Sequence, residues 1–420
     1  MEARPWHAAY DEGVPASVPY EELTLPAYLE RAAERAPHRT ALVFENASLD
    51  YRTLLDEVRR FRVALARLGV GPGTSVGIQL PNLPQVPIAT YAALGLGARV
   101  VLTNPLYTAR ELEHQWNDAE VTVGITTDFL FEQRVRRVRE RLGVREFILA
   151  RIPEYLRFPL NLLAPFKLKR LDPPAWAKVR PEPHVHFFRE LVRGASGDPP
   201  SPELDLDAVA VLQYTGGTTG VSKGAMLTHR NLSVNAQQCW TWFSDCTFAG
   251  EVFLGCLPLF HVFGLTVAMN LSVVAAGTLV LIPNPRDVKA LVRGIAKHGV
   301  TIFPGVPALY NALNHHPGIE DADLSTVRYC ISGSAPIAPD VLERFESLTG
   351  SHIIEGYGMS ETSPLTHANP LRGKRKIGSI GVPVPDTDAL VVDVDDPERV
   401  LPVGEEGELL LAGPQVMAGY

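Results

Sequence analysis

From Ala41 to about Ile354 the sequence alternates short apolar runs with amphipathic stretches, and this alternation constrains the fold more than any other feature. Ala41 to Phe44, Ser75 to Leu80, Arg99 to Leu102, Val121 to Thr127 and Glu146 to Ala150 read as strands. Between the first two, Tyr51 to Leu68 carries apolar residues at 54, 55, 58, 61, 65 and 68, a single helical stripe, and Gly69 ends it. A small-residue helix precedes Gly97, and Thr108-Ala-Arg-Glu111 forms a capping box in which hydroxyl and carboxylate satisfy free amides at a helix start. Strands separated by helices pair in parallel, with helices over both faces of the sheet. The expected class is α/β.

A Pro-rich stretch without clear period, 151–202, interrupts the pattern. Alternation resumes at Leu206, with strands expected at 209–215, 252–257, 278–283, 300–304, 327–332 and 352–356. Helices are expected near 229–242, 262–275, 286–298, 307–316 and 339–349. After Gly378 short strands with Pro and Gly turns take over. This predicts two doubly wound α/β subdomains packed together, 1–205 with its insert and 206–377, followed at 378–420 by the start of a small β-barrel subdomain.

Charge and cysteine usage narrow the function. The 420 residues hold 39 basic and 47 acidic side chains, a net charge of −8, which argues against a nucleic-acid partner. The four cysteines, Cys239, Cys246, Cys256 and Cys330, show neither CxxC pairing nor metal spacing, and His184, His186, His315 and His316 lack partners at such spacing. No run approaches the ~18 apolar residues of a membrane span, so a cytoplasmic protein is expected.

The most informative stretch is Tyr214-Thr-Gly-Gly-Thr-Thr-Gly-Val-Ser-Lys-Gly224, between an apolar strand and a helix that Thr228 can cap. Glycines turn backbone amides toward a phosphate, hydroxyls at Thr215, Thr218, Thr219 and Ser222 add donors, and Lys223 adds positive charge. It is not a Walker A loop, because two residues separate Gly220 from Lys223.

These residues resemble the phosphate-loop signature of the adenylate-forming superfamily, which includes acyl-CoA synthetases, luciferases and peptide-synthetase adenylation domains. Four further stretches agree in order: Pro258-Leu-Phe-His-Val-Phe-Gly264, Gly305-Val-Pro-Ala-Leu309, Gly333-Ser-Ala-Pro336 and Gly356-Tyr-Gly-Met-Ser-Glu-Thr362. Within the superfamily, Asn104 to Gln115, Gly217 and Asn284-Pro-Arg-Asp287 are similar to bacterial long-chain fatty-acyl-CoA ligases.

The resemblance implies ATP-dependent conversion of a fatty acid to an acyl-adenylate, with release of pyrophosphate, then transfer to coenzyme A. It implies that Thr215, Gly216, Gly217, Thr218, Thr219, Gly220 and Lys223 hold the β- and γ-phosphates. Glu361 would ligate Mg²⁺, with Thr215 as the leading second ligand. Gly333, Ser334, Ala335, Glu355, Gly356, Tyr357, Gly358 and Met359 would frame AMP, with Tyr357 stacked on adenine. Ser360 or Thr362 would reach the α-phosphate. Phe260, His261, Phe263, Gly305, Val306 and Pro307 would line the acyl site, with His261 positioning the carboxylate. Lys223, Glu361 and His261 are thus the expected catalytic side chains.

Three readings stay open. Tyr155 to Leu171 combines apolar residues with four basic ones, which fits either a peripheral membrane patch or a loop packed on the body. Leu23 to Ala36 suits packing on its own chain or, in a homodimer, on a second copy. The rival functions are a ligase of another acid, an acyl-AMP ligase serving a carrier protein, and a non-catalytic nucleotide- or lipid-binding short form. The family's Tyr-x-Thr-Gly-Asp motif, hinge and C-terminal lid with its lysine do not occur in these 420 residues. The chain therefore reads as the larger part of an enzyme, expected to turn over poorly alone.

Overall fold

The computed structural model describes residues 4–216 and 222–420. Two mixed sheets carry the described residues. The larger comprises, from edge to edge, Val382–Pro383 (β16), Leu365–Ala368 (β15), His352–Gly358 (β14), Tyr329–Ser332 (β13), Ile302–Gly305 (β12), Val252–Gly255 (β10), Thr278–Leu281 (β11), Thr40–Phe44 (β1) and Ala47–Asp50 (β2). The smaller comprises Val185–Phe187 (β7), Glu146–Ala150 (β6), Val121–Thr127 (β5), Ser75–Gln79 (β3), Arg99–Leu102 (β4), Val209–Thr215 (β8) and Lys223–Thr228 (β9). The interior pairs are parallel, and antiparallel pairs close the edges at β2, at β9 and through β15 and β16.

The helices form because their apolar spacing and caps agree. Tyr51–Arg67 starts where the Asp50 carboxylate accepts from Thr53 N–H and stops two residues before Gly69, which takes a left-handed φ of 84°. The Thr108 capping box is present on Ala109–Asp118, and Thr228 and Asn231 make a second on His229–Trp242. One core lies between the sheets and includes Val76, Ile125, Phe253 and Leu279; a second and a third cover the outer faces of the larger and smaller sheets. In the third, Trp116 presses so closely on the smaller sheet that a Cβ at Gly124 would come within 2.6 Å of its ring.

Several expectations change. The boundary at 205/206 runs through both sheets rather than between them. β1, from the first half, pairs with β11, while β8, from the second half, pairs with β4. Each half thus lends a hairpin to the other's sheet, where it covers an edge that would otherwise present unpaired amides. The loop 216–222 therefore joins two antiparallel strands instead of a strand and a helix. The insert is ordered in part: it holds the helix Leu160–Leu168, the short strand β7 and the helix Phe188–Gly194. Residues 378–420 form no closed barrel among the described residues. Asp388–Val392 (β17) and Glu408–Ala412 (β18) make a two-stranded ribbon, and β16 joins the larger sheet. The helix Leu25–Arg35 buries Leu25, Tyr28, Leu29 and Ala32 on its own chain, which answers the open reading of 23–36.

Candidate active site

The strand ends that follow β10, β12, β13 and β14 lie side by side in the larger sheet, and a cavity of about 520 Å³ opens there. This is where open α/β sheets place their ligands, beyond the carboxyl ends of the strands. Ten of the expected residues line it: His261, Phe263, Val306, Gly333, Ser334, Gly356, Tyr357, Gly358, Met359 and Ser360. Its wall is largely apolar, through residues such as Val262, Val267, Leu309 and Ile331, and Ser334 and Ser360 are among its polar members.

Close backbone approach shapes the wall where β14 ends. A Cβ on Gly358 would sit 1.9 Å from the Pro364 carbonyl oxygen, so only glycine lets β14 pass its returning partner. Ser334 adopts a left-handed φ of 69°, a conformation that costs energy for a residue with a side chain and is common at functional sites. Tyr357 stands edge-on to His367, with ring centroids 6.0 Å apart. Between the two hydroxyls left open by sequence, Ser360 lines the cavity, whereas Thr362 is buried and donates to the Pro364 carbonyl.

His261 lines the cavity, and desolvation by the surrounding protein lowers its pKa and favours neutral imidazole. Neutral imidazole can hydrogen-bond a carboxylate as donor without neutralising it as a nucleophile.

Of the residues expected at the acyl and adenine sites, five stand apart from the cavity. Phe260 packs beside the His261 ring, and its carbonyl accepts from Gln213 Nε2 at 3.3 Å. Gly305 makes room for Tyr310, whose ring would lie 2.9 Å from a Cβ there, and Pro307 opens the helix Pro307–Asn314. Ala335 is exposed on the turn after β13. Glu355 is buried, with its pKa raised by desolvation, and it accepts from Gly378 N–H at 2.9 Å, which ties β14 to the turn at 378.

The phosphate hairpin comes from the smaller sheet. Thr215 ends β8 directly opposite Lys223, the first residue of β9, and Gly216 follows exposed. Gly217, Thr218, Thr219 and Gly220 lie outside the described residues. The short turn Ser360–Thr362, which carries Glu361, packs against both strands of this hairpin. Tyr420 joins the group: its hydroxyl donates to Glu361 Oε1 at 2.7 Å, and its ring lies 5.5 Å from Lys223 Nζ. Backbone bonds hold it there, because Met226 on β9 donates to Gly419 and accepts from Ala418, while Met417 N–H donates to the Glu361 carbonyl. The carboxylate of Glu361, on a turn packed against the strand that Thr215 ends, would make with the Thr215 hydroxyl an all-oxygen donor set with one acid. It fits a magnesium ion that takes its other ligands from phosphate and water.

Sequence reasoning did not find Val267, Leu309, Leu365 or Tyr420. The first three are apolar residues that read like any other core position, and nothing in the local pattern marks Tyr420.

A family model described as AMP-binding enzyme matches residues 29–420. A long-chain-fatty-acid–CoA ligase of Bacillus subtilis is 39% identical over 419 residues, covering 99% of this chain and 74% of that protein. One from Salmonella typhimurium is 38% identical over 422 residues, with the same two shares. Among solved structures, a long-chain-fatty-acid-CoA ligase from Archaeoglobus fulgidus superposes with a TM-score of 0.82 at 27% identity, covering 98% of this chain and 78% of that one.

Proposed function

The chain belongs to the AMP-binding enzyme family, and from that premise we propose that it is a fatty-acid–CoA ligase, using ATP, Mg²⁺ and coenzyme A. The observation that carries this reading is one cavity walled largely by aliphatic side chains and bordered by Ser360, whose turn packs on the phosphate hairpin. A carboxylate oxygen attacks the α-phosphorus, the bond from that phosphorus to the bridging oxygen breaks, and pyrophosphate leaves. The coenzyme A thiolate then attacks the acyl carbonyl and displaces AMP.

The barrier to the first step is the approach of anion to anion, so positioning and positive charge do most of the work. His261 holds the carboxylate beside the aliphatic wall. Tyr357, Gly358 and Gly333 form the adenine wall, and Ser360 faces the α-phosphate. Lys223, with Thr215 and Gly216, takes the departing phosphates together with loop residues 217–220. Glu361 and Thr215 would hold the magnesium ion, which would supply neutralisation of phosphate charge. ATP–pyrophosphate exchange across acids of increasing length tests this reading. Exchange that rises with aliphatic chain length supports it, and exchange confined to aryl or short acids overturns it.

We further propose that the protein works against anionic lipid through residues 155–171. The helix Leu160–Leu168 has no buried residue, and Phe158, Leu162 and Phe166 are 76%, 60% and 69% exposed. Arg157, Lys167, Lys169 and Arg170 lie in the same segment, with no acid among its residues, in a chain of net charge −8. Apolar side chains beside cations suit the boundary between acyl chains and anionic headgroups. Among the described residues no helix is long and apolar enough to cross a membrane, so the contact is peripheral. Cosedimentation with phosphatidylglycerol vesicles, lost on Leu162→Ser/Phe166→Ser, is the expected result. Equal pelleting of parent and variant overturns it.

A further inference from the structure

Behind the active-site cavity lies a second, far smaller one of about 20 Å³, enclosed and apolar throughout. Val267, Ile331 and Leu365 line both, so they form a septum one side chain thick. On the far side stand Trp242, Phe243 and Cys239, all buried, with the Trp242 indole fixed by its N–H bond to the Asn369 carbonyl at 3.2 Å.

The septum has one rigid member and two on irregular backbone. Ile331 sits in β13, paired on both sides by β12 and β14. Val267 lies in the π-helical segment Gly264–Asn270, a wider turn than an α-helix and a form that concentrates at functional sites. Leu365 opens β15 two residues after Ser363, which is held in a left-handed φ of 73° and accepts from Thr266 Oγ1 at 2.7 Å. That bond links the two irregular members, so displacement of one is felt by the other.

The chemistry of the annex selects its occupant. A chamber with room for about one methyl-sized group and no polar partner stays dry, and an alkyl terminus gains by entering it. Its only neighbouring cavity among those described is the one that holds the acyl group.

We infer that Val267 and Leu365 form a chain-length gate, through which the terminal methyl group of a long acyl tail passes into the annex under Trp242. The inference rests on the fatty-acid reading above and names the residues that set its upper limit. An acid that ends before the septum fills only the main cavity. A longer one must part Val267 from Leu365, and it is accepted as far as the annex allows.

The test is the KM for a series of saturated acids, measured by pyrophosphate exchange with the full-length protein. Cys239→Leu fills the annex from its far wall, and Val267→Ala thins the gate. Cys239→Leu is expected to raise KM for the longest acids the parent accepts, by about fourfold for each methylene that loses its place. Val267→Ala is expected to move the limit the other way. Acids too short to reach the septum keep their KM in Cys239→Leu, whose site lies outside the main cavity, which also shows that this variant folds. A length profile unmoved in Val267→Ala, with short acids still active, overturns the gate alone. Absence of exchange with every fatty acid in the parent overturns the fatty-acid reading and the gate with it.

Discussion

Acidification should loosen the adenine wall through His367, and the size of the effect follows from its burial. His367 is 4% exposed on β15, directly opposite Tyr357 in register and edge-on to its ring. Burial lowers its pKa from 6.5 to about 4. An unfolded chain takes up this proton near pH 6.5, whereas the folded chain resists it until about pH 4. The stability is therefore fully present above 6.5 and is lost as the pH falls toward 4. At about 1.4 kcal/mol per pH unit the whole gap amounts to about 3 kcal/mol, of which about 2 kcal/mol is gone by pH 5. His229, also lowered to about 4 by burial, adds a loss of the same sign. Asp128 and Glu154, raised by burial to about 6 and about 7, act oppositely, since they stabilise the fold at low pH and lose that contribution as the pH rises. Comparing the parent with His367→Gln, which cannot titrate, cancels all three. Urea unfolding at about pH 7 and about pH 5 should show the parent losing about 2 kcal/mol more than the variant. Equal losses refute the reasoning.

Three further outcomes follow from the same geometry. Glu361→Gln should cut magnesium-supported pyrophosphate exchange by about 10²- to 10³-fold while thermal stability stays near that of the parent; an unchanged rate would remove Glu361 from the ion's shell. Gly358→Ala places a carbon 1.9 Å from the Pro364 carbonyl oxygen, so ATP should no longer raise the thermal midpoint of the variant, as calorimetry would read. Trp116→Ala removes a fully buried ring and its 2.8 Å bond to Thr103, and denaturant unfolding should register a cost of about 3–5 kcal/mol.

How far the sequence is legible depends on whether a residue's role leaves a periodic or chemical mark. Interior strands such as β4, β5 and β6 match their expected bounds residue for residue, because strands buried on both faces are continuous apolar runs bounded by helical periods. The edge strands escape. β2 follows β1 after two residues and is only partly buried, and β7 has three residues. β9 begins with the lysine and glycine that end the phosphate motif, so it reads as loop. In the site, glycines and polar residues stand out against an apolar background, and ten of the expected residues line the cavity. Glu355 misleads because neighbours along a strand point to opposite faces: Gly356 borders the cavity while Glu355 reaches the turn at 378. The septum is invisible for the opposite reason, since Val267 and Leu365 have the chemistry of any core residue and differ only in what lies on each side.

The exchange of hairpins between the sheets explains why the site stands where it does. The walls proposed for the acyl group and adenine belong to the larger sheet, while the hairpin β8–β9, proposed to take the phosphates, is an edge of the smaller one. An edge strand would ordinarily be free to shift, but β9 is fixed on several sides. It pairs with β8, packs under the turn that carries Glu361, and exchanges backbone bonds with Ala418 and Gly419. The core between the sheets draws on both, from Val211 and Leu227 of the hairpin to Ile331 and Ile354 of the adenine wall. Moving the phosphates relative to the adenine wall would therefore mean repacking that core, which close-packed interiors resist. In-line attack on the α-phosphorus needs that fixed relation, because a displacement of about 1 Å in such geometry can cost about 100-fold in rate. The swapped hairpin thus makes the distance between the two binding walls a property of the fold rather than of a loop.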